Sequence, residues 1–169
     1  LDGLSSLSTI GGDLSMNGLY QLSDFSDFSS LTSIGGGLTV KFTSTLLNLD
    51  NFTSLTSIGN GLTIEYNQDL TSISGLSTVN NFSGNITFRN NDDLLSLSGL
   101  ENIPFNDINY LSIYDNPSLS VCNLANLCNY LSEDSSTHPR AIYNNFQDCL
   151  NEAAVQVACS ENVPYNQTK

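Results

Sequence analysis

Positive charge is what this sequence lacks most. Four Lys and Arg side chains stand against 17 Asp and Glu, a formal net charge of −13 at pH 7. Recognition of nucleic acid needs clustered cations that displace counterions from phosphates, so nucleic acid is excluded as a partner. An anionic membrane surface is disfavoured by the same sign of charge. The excess acid reads first as a source of solubility and only second as a recognition surface. Long apolar runs are missing as well. No stretch approaches the roughly 18 apolar residues that a membrane-crossing helix needs, so membrane insertion is not expected. Histidine occurs once, at His138. Activating a Ser or Cys nucleophile needs a partnered base, and His138, in a polar stretch before Pro139, reads as an exposed loop residue. The carboxylate pairs Asp92-Asp93 and Glu133-Asp134 read as solvated turn residues rather than an acid and a base. No phosphate-binding glycine motif opens a helix. An enzyme is not expected, and no cofactor is implied.

Charged residues make up only 12% of the chain, while Ser, Thr, Asn and Leu are abundant. That balance suits strands and turns better than helices. The four cysteines, Cys122, Cys128, Cys149 and Cys159, all fall in the last third and lack zinc-ligand spacing. They read as two disulfides closing one end of the fold, in an oxidising compartment. Three pairings are open, and Cys122–Cys149 with Cys128–Cys159 is the one favoured.

What is present in quantity is a repeat. Leu14-Ser15-Met16, Leu38-Thr39-Val40, Leu62-Thr63-Ile64, Ile86-Thr87-Phe88 and Leu111-Ser112-Ile113 follow one another at steps of 24, 24, 24 and 25 residues. Other positions keep the same phase: Leu22, Leu46, Leu70, Leu94 and Leu119; Phe25, Leu49, Ile73 and Leu97; Phe28, Phe52, Leu76 and Leu100; Leu31, Leu55, Val79 and Ile103; Ile34, Ile58 and Phe82. The Leu-x-Ile units alternate apolar and polar residues, which predicts short strands with one buried face. Between them apolar residues recur every third position among Ser, Thr, Asn and Gly, which predicts extended or 3₁₀ segments with few or no α-helices. Glycines before each strand are expected to supply positive φ for a tight corner. Stacked repeats then place equivalent strands in a parallel sheet about 4.8 Å apart. Asn67, Asn91 and Asn116, three residues past their strands, predict a structural ladder of amides, with Leu19 and Thr43 at the equivalent positions of the first two repeats.

The pattern Leu62-x-Ile64-x-x-Asn67-x-x-Leu70, preceded by Ile58-Gly59-x-Gly61, resembles the leucine-rich-repeat superfamily. With its glycine corner and Ser/Thr-rich return it looks most like the receptor L domain group, and the resemblance covers residues 1 to about 121. It implies a right-handed parallel β-solenoid of about five repeats and says little about the ligand. The tail, from Asn116-Pro117 through the cysteines to Ala158-Cys159, resembles the cap of such repeats in secreted proteins of Bacteroidetes-type bacteria, often followed by a sorting domain. Leu1-Asp2-Gly3-Leu4 matches Ile73-Ser74-Gly75-Leu76, and no initiator Met or signal peptide is present, so the chain reads as a piece of something longer with its first repeat truncated. The organisation expected is a single domain: repeats over 1–121, a disulfide cap over 122–160, and a tail or linker over 161–169. In the cap, Val121, Leu124, Leu127, Cys128 and Leu131 are expected on one side of a helix. Ala141-Ile142-Tyr143 with Asn145 mimics a last strand and its Asn. Asn151 is expected to N-cap a helix over Glu152–Ala158 that turns Ala154, Val155 and Ala158 inward.

The candidate binding surface is the outward face of the predicted sheet. Ser15, Thr39, Thr63, Thr87 and Ser112 form a row of hydroxyls. Asn17, Lys41, Glu65, Arg89 and Tyr114 run beside it, followed by Gly18, Phe42, Tyr66, Asn90 and Asp115. Lys41 and Arg89 flank Glu65, which reads as a cross-strand charge ladder, and Phe42 and Tyr66 offer apolar contact. The expected function is therefore extracellular or cell-surface recognition of a protein or glycan by Thr39, Lys41, Phe42, Thr63, Glu65, Tyr66, Thr87, Arg89 and Tyr114. The alternative is a spacer segment of a larger adhesin. Calcium at the edge formed by Asn67, Asp69, Asn91, Asp92, Asp93, Asp115 and Asn116 is a lesser expectation, since no known calcium-loop pattern occurs. Ice binding by the Thr row is another, weakened by the long charged side chains beside it. Asn51, Asn81, Asn85 and Asn166 open glycosylation sequons that matter only in a eukaryotic secretory host.

Overall fold

The computed structural model describes residues 3–21 and 25–161. Leu1-Asp2, residues 22–24 with Leu22 of the repeat, and residues 162–169 with the sequon at Asn166 lie outside the described residues. Among the described residues the strands are β1 (Thr9–Ile10), β2 (Leu14–Asn17), β3 (Ser33–Ile34), β4 (Leu38–Lys41), β5 (Ser57–Ile58), β6 (Leu62–Glu65), β7 (Asn81–Phe82), β8 (Gly84–Arg89), β9 (Ile108–Tyr114) and β10 (Arg140–Tyr143). A six-stranded parallel sheet runs in the order β10-β9-β8-β6-β4-β2, with Leu14, Leu38, Leu62, Ile86 and Leu111 in one register.

A second parallel sheet, β1-β3-β5-β7, was not expected from the sequence. Its strands are two residues long, too short for an alternation of period two to stand out, and its buried members Ile34, Ile58 and Phe82 read equally well as part of the three-residue return. The core lies between the two sheets. Leu38, Val40, Leu62, Ile64, Ile86 and Phe88 enter from the larger sheet, and Ile34, Ile58 and Phe82 from the smaller. The third-position residues Leu70, Ile73, Leu76 and Val79 close the sides, the last of them around a 3₁₀ turn at Ser74–Thr78.

The glycines act differently from expectation. Of those before the strands only Gly61 and Gly84 have positive φ. Gly35 and Gly59 are required by close stacking instead. A Cβ on Gly35 would lie 2.5 Å from the Gly11 carbonyl oxygen, and one on Gly59 would lie 2.2 Å from that of Gly35.

Beyond each strand of the larger sheet the amide ladder is continuous from Thr43 to Asn145. Asn67 donates its backbone N–H and its Nδ2 to Oδ1 of Asn91, Asn91 does the same to Asn116, and Asn116 to Asn145, at 3.0–3.3 Å. Each Nδ2 also reaches a backbone carbonyl: Val40, Ile64, Phe88 and Ile113 in turn. Thr43 does not weaken this ladder, because its N–H and hydroxyl both donate to Asn67 Oδ1. The ladder stops at Leu19, whose side chain has no polar group to offer and which lies partly exposed.

The cap contains α1 (Ala125–Ser132) and α2 (Glu152–Glu161), joined by Cys128–Cys159, while Cys122–Cys149 ties the chain before α1 to the turn before α2. Asn151 caps α2 by accepting the Ala154 N–H at 3.0 Å. The helix runs three residues past Ala158; Val155 and Ala158 are buried, but Ala154 only half-buried. Val121 is not on α1, which begins at Ala125. It bridges Ser96 and is 41% exposed, while Asn126 and Tyr130 supply the buried surface instead. Arg140 is almost fully buried and satisfied: its Nε and Nη2 donate to Glu152, and its other donors to the carbonyls of Leu131, Glu133 and His138. His138 is not an exposed loop residue. It is half-buried, edge-on to Tyr130 at 4.9 Å and near Phe105, with Nδ1 3.0 Å from the Thr137 hydroxyl.

Candidate functional site

The outward face of the larger sheet is shaped by how each strand ends. The residue directly after β2, β4, β6, β8, β9 and β10 is left-handed in every case: Gly18, Phe42, Tyr66, Asn90, Asp115 and Asn144, with φ between 51° and 70°. From Phe42 onward this conformation swings the next residue inward, where it becomes a rung of the ladder. Gly, Asn and Asp adopt it readily, whereas for bulky side chains it costs about 1–2 kcal/mol. Phe42 and Tyr66 are therefore held in strained backbone on the face where a ligand was expected.

The structure brings the candidate residues together in one line. Phe42 and Tyr66 stack with centroids 4.7 Å apart and planes 10° from parallel. Arg89 leans over the Tyr66 ring at 5.1 Å and over Tyr114 at 5.3 Å. Tyr114 then stacks on Tyr143 at 4.8 Å. The spacing matches the distance between strands, so the rings stand on edge and use their faces on one another. Gly18 has no side chain to cover the far face of Phe42, and Phe42 and Tyr143 at the two ends are 40% and 43% exposed.

The charge ladder is only half formed. Glu65 pairs with Lys41 at 2.8 Å, and Arg89 is taken up by the two tyrosines instead. Arg89 Nε is closed off from solvent with no acceptor, a situation that ordinarily costs about 1–3 kcal/mol. Its terminal nitrogens are not closed off in this way. Around Tyr143, loss of solvent, the neighbouring Tyr114 and the Asp115 carboxylate raise the phenol above its ordinary value, with Arg89 acting in the other direction. Tyr143 is thus a neutral hydroxyl at physiological pH.

Thr39, Thr63 and Thr87 lie in register beside this line, half-buried, and make no side-chain hydrogen bond among the described residues. By contrast Thr32, Thr56, Thr71 and Thr78 all donate to backbone carbonyls of the preceding repeat. The row ends at Thr87, because Ser112 is buried. At the edge considered for calcium, Asn67, Asn91 and Asn116 are buried with their amides committed to the ladder, so three of the seven candidate ligands are not available. Among the described residues no group of three or more His, Cys, Asp or Glu is placed to hold a metal ion.

Sequence reasoning missed Tyr143 as a member of the face. Its strand is recognisable, but 29 residues rather than 24 separate Tyr143 from Tyr114, and the register is lost across the cap insertion. The sandwiched arginine was also missed, since an acid and a base in neighbouring strands predict an ion pair rather than a stack.

No helix among the described residues is long and apolar enough to cross a membrane. The two disulfides are the chemistry of an oxidising compartment. Neither the curated proteins nor the solved structures contain a match to the chain. The family model of the receptor L domain matches residues 8–102, more than half of the 169 residues. With its parallel sheets, its 24-residue register and its disulfide-closed helical end, the chain belongs to the receptor L domain family.

Proposed function

We propose that this is an extracellular recognition module, with no catalysis of its own, that binds its ligand on the outward face of the six-stranded sheet. The observation that carries this reading is the line Phe42–Tyr66–Arg89–Tyr114–Tyr143. It sets strained aromatic residues and a cation without a carboxylate partner on an open surface. Tyr and Arg are the side chains that most often dominate binding energy when water is excluded around them. Membership of a family of ligand-binding extracellular domains supports the same conclusion. The non-enzymatic reading is supported by His138, the one histidine, which is packed into the cap wall. The 24-residue register and the paired parallel sheets support a right-handed solenoid over residues 1–121 with a cap over 122–160.

Arrays of extracellular proteins and of glycans, probed with the wild type and with a Lys41/Tyr66/Arg89 triple alanine variant, test the proposal. Binding abolished in the variant, which still unfolds in a single cooperative transition, is the expected result. Binding that survives the three changes would move the site elsewhere. The absence of any binding would favour the spacer role within a larger adhesin.

A further inference from the structure

We infer that the ligand of this face is a glycan carrying a carboxylate, such as a uronic or sialic acid residue, with Arg89 as its carboxylate receptor. This rests on the sheet face being the docking surface. Three observations narrow the ligand. Among the described residues Arg89 has no acidic partner, because Glu65 is taken by Lys41, and its Nε lacks any acceptor. Tyr66 and Tyr114 sit on either side of it and fix its plane. A guanidinium held in this way, with terminal nitrogens still reachable, is arranged to take a planar carboxylate through two parallel hydrogen bonds.

The second observation is the neighbouring row. Thr39, Thr63 and Thr87 present hydroxyls at strand spacing that no hydrogen bond among the described residues uses, whereas Thr32, Thr56 and Thr71 are bonded to backbone carbonyls. A ligand rich in hydroxyl groups matches that array. The third is charge. At −13 the whole molecule repels polyanionic partners, so an acidic protein surface is disfavoured. A largely neutral glycan that carries a single carboxylate can place that one anion on Arg89, which has no carboxylate partner among the described residues.

The test is titration calorimetry and amide chemical-shift mapping of the intact chain. The probes are otherwise neutral tetrasaccharides carrying a single galacturonate, mannuronate or guluronate, and sialyllactose, each beside its neutral counterpart, with tetraglutamate as the peptide control. At least one acidic sugar is expected to bind about tenfold or more tightly than its neutral counterpart, shifting the amides of Thr63, Tyr66 and Arg89. Arg89→Lys, which keeps the charge but loses the planar fork, should weaken it by about tenfold. Thr63→Val, isosteric and remote from the carboxylate, should weaken it severalfold. Binding of tetraglutamate alone, no preference for acid over neutral sugar, or full affinity in Arg89→Lys would overturn the inference. A neutral sugar bound with shifts at Thr63 and Tyr66 would sink the carboxylate while leaving the face as the site. Acid-dependent binding with shifts confined to the cap would sink both.

Discussion

Gly11 and Gly35 occupy equivalent positions in successive repeats, yet their surroundings differ completely. A Cβ at Gly35 would meet the Gly11 carbonyl and one at Gly59 the Gly35 carbonyl, whereas a Cβ at Gly11 would meet nothing within 4 Å. Backbone cannot step aside as a side chain can, so the contact becomes overpacking. Gly59→Ala is expected to lower unfolding free energy by about 1–3 kcal/mol. Gly11→Ala, at negative φ and in open space, should be neutral or stabilising by up to about 1 kcal/mol. Denaturant unfolding of the two variants checks this, and equal effects would contradict the stacking argument. A second residue-level consequence concerns Asn91, whose amide serves four groups: Asn67 N–H, Asn67 Nδ2, the Ile64 carbonyl and Asn116 Oδ1. Asn91→Leu keeps the branched heavy-atom skeleton but leaves these buried groups short of partners. At about 1–3 kcal/mol for each unsatisfied group, the loss should exceed about 3 kcal/mol and outweigh any gain from the added apolar surface. A midpoint in urea within error of the wild type would show that the ladder is dispensable.

At the scale of the strand and its exit turn, the repeated left-handed residue links stability to recognition. Phe42→Gly removes a stack on Tyr66 worth about 0.5–1.5 kcal/mol, but it also releases a bulky residue from a conformation costing about 1–2 kcal/mol. The two effects oppose each other, so stability should change by no more than about 1 kcal/mol while ligand binding falls. A Phe42→Gly variant that unfolds much more easily would mean that the ring is there for packing. The larger sheet was legible in the sequence because Leu-x-Val and Leu-x-Ile recur at a fixed step and alternate polarity, and Asn67, Asn91 and Asn116 showed the ladder. The smaller sheet was not legible, since two-residue strands carry no alternation. The left-handed column was hidden by its own residues: Phe42 and Tyr66 have strand-like propensity, and the expectation of positive φ was placed only on the glycines before the strands, where it holds at Gly61 and Gly84. Lys41, Glu65 and Arg89 were read correctly as neighbours in one row. Their pairing was not, because the tyrosines that divert Arg89 come from two different columns, at Tyr66 and Tyr114.

For the molecule as a whole, the decisive feature is that each repeat is held by its neighbours, so the last one needs a lid. The lid is stitched at two depths. Cys122 and Cys149 are fully buried against the final repeat, while Cys128 and Cys159 are half-buried between α1 and α2. They close loops of 27 and 31 residues, for which chain entropy predicts similar stabilisation of about 3–4 kcal/mol each. Access to reductant, rather than loop length, should then decide the order of opening. With limiting phosphine followed by alkylation, mass mapping is expected to find Cys128 and Cys159 labelled first. Opening that bridge frees α2 from α1, leaving Val155, Ala158 and the Arg140–Glu152 pair as its main attachments. Amide exchange should therefore quicken across α2 while β4, β6 and β8, each paired on both sides, keep their protection. The Cys122–Cys149 bridge should reduce only when the final repeat itself opens, and strands β9 and β10 should lose protection together with it. Labelling of all four cysteines at one rate, with the central strands exchanging in step, would mean that cap and repeats unfold as one cooperative unit and that the two bridges do the same work.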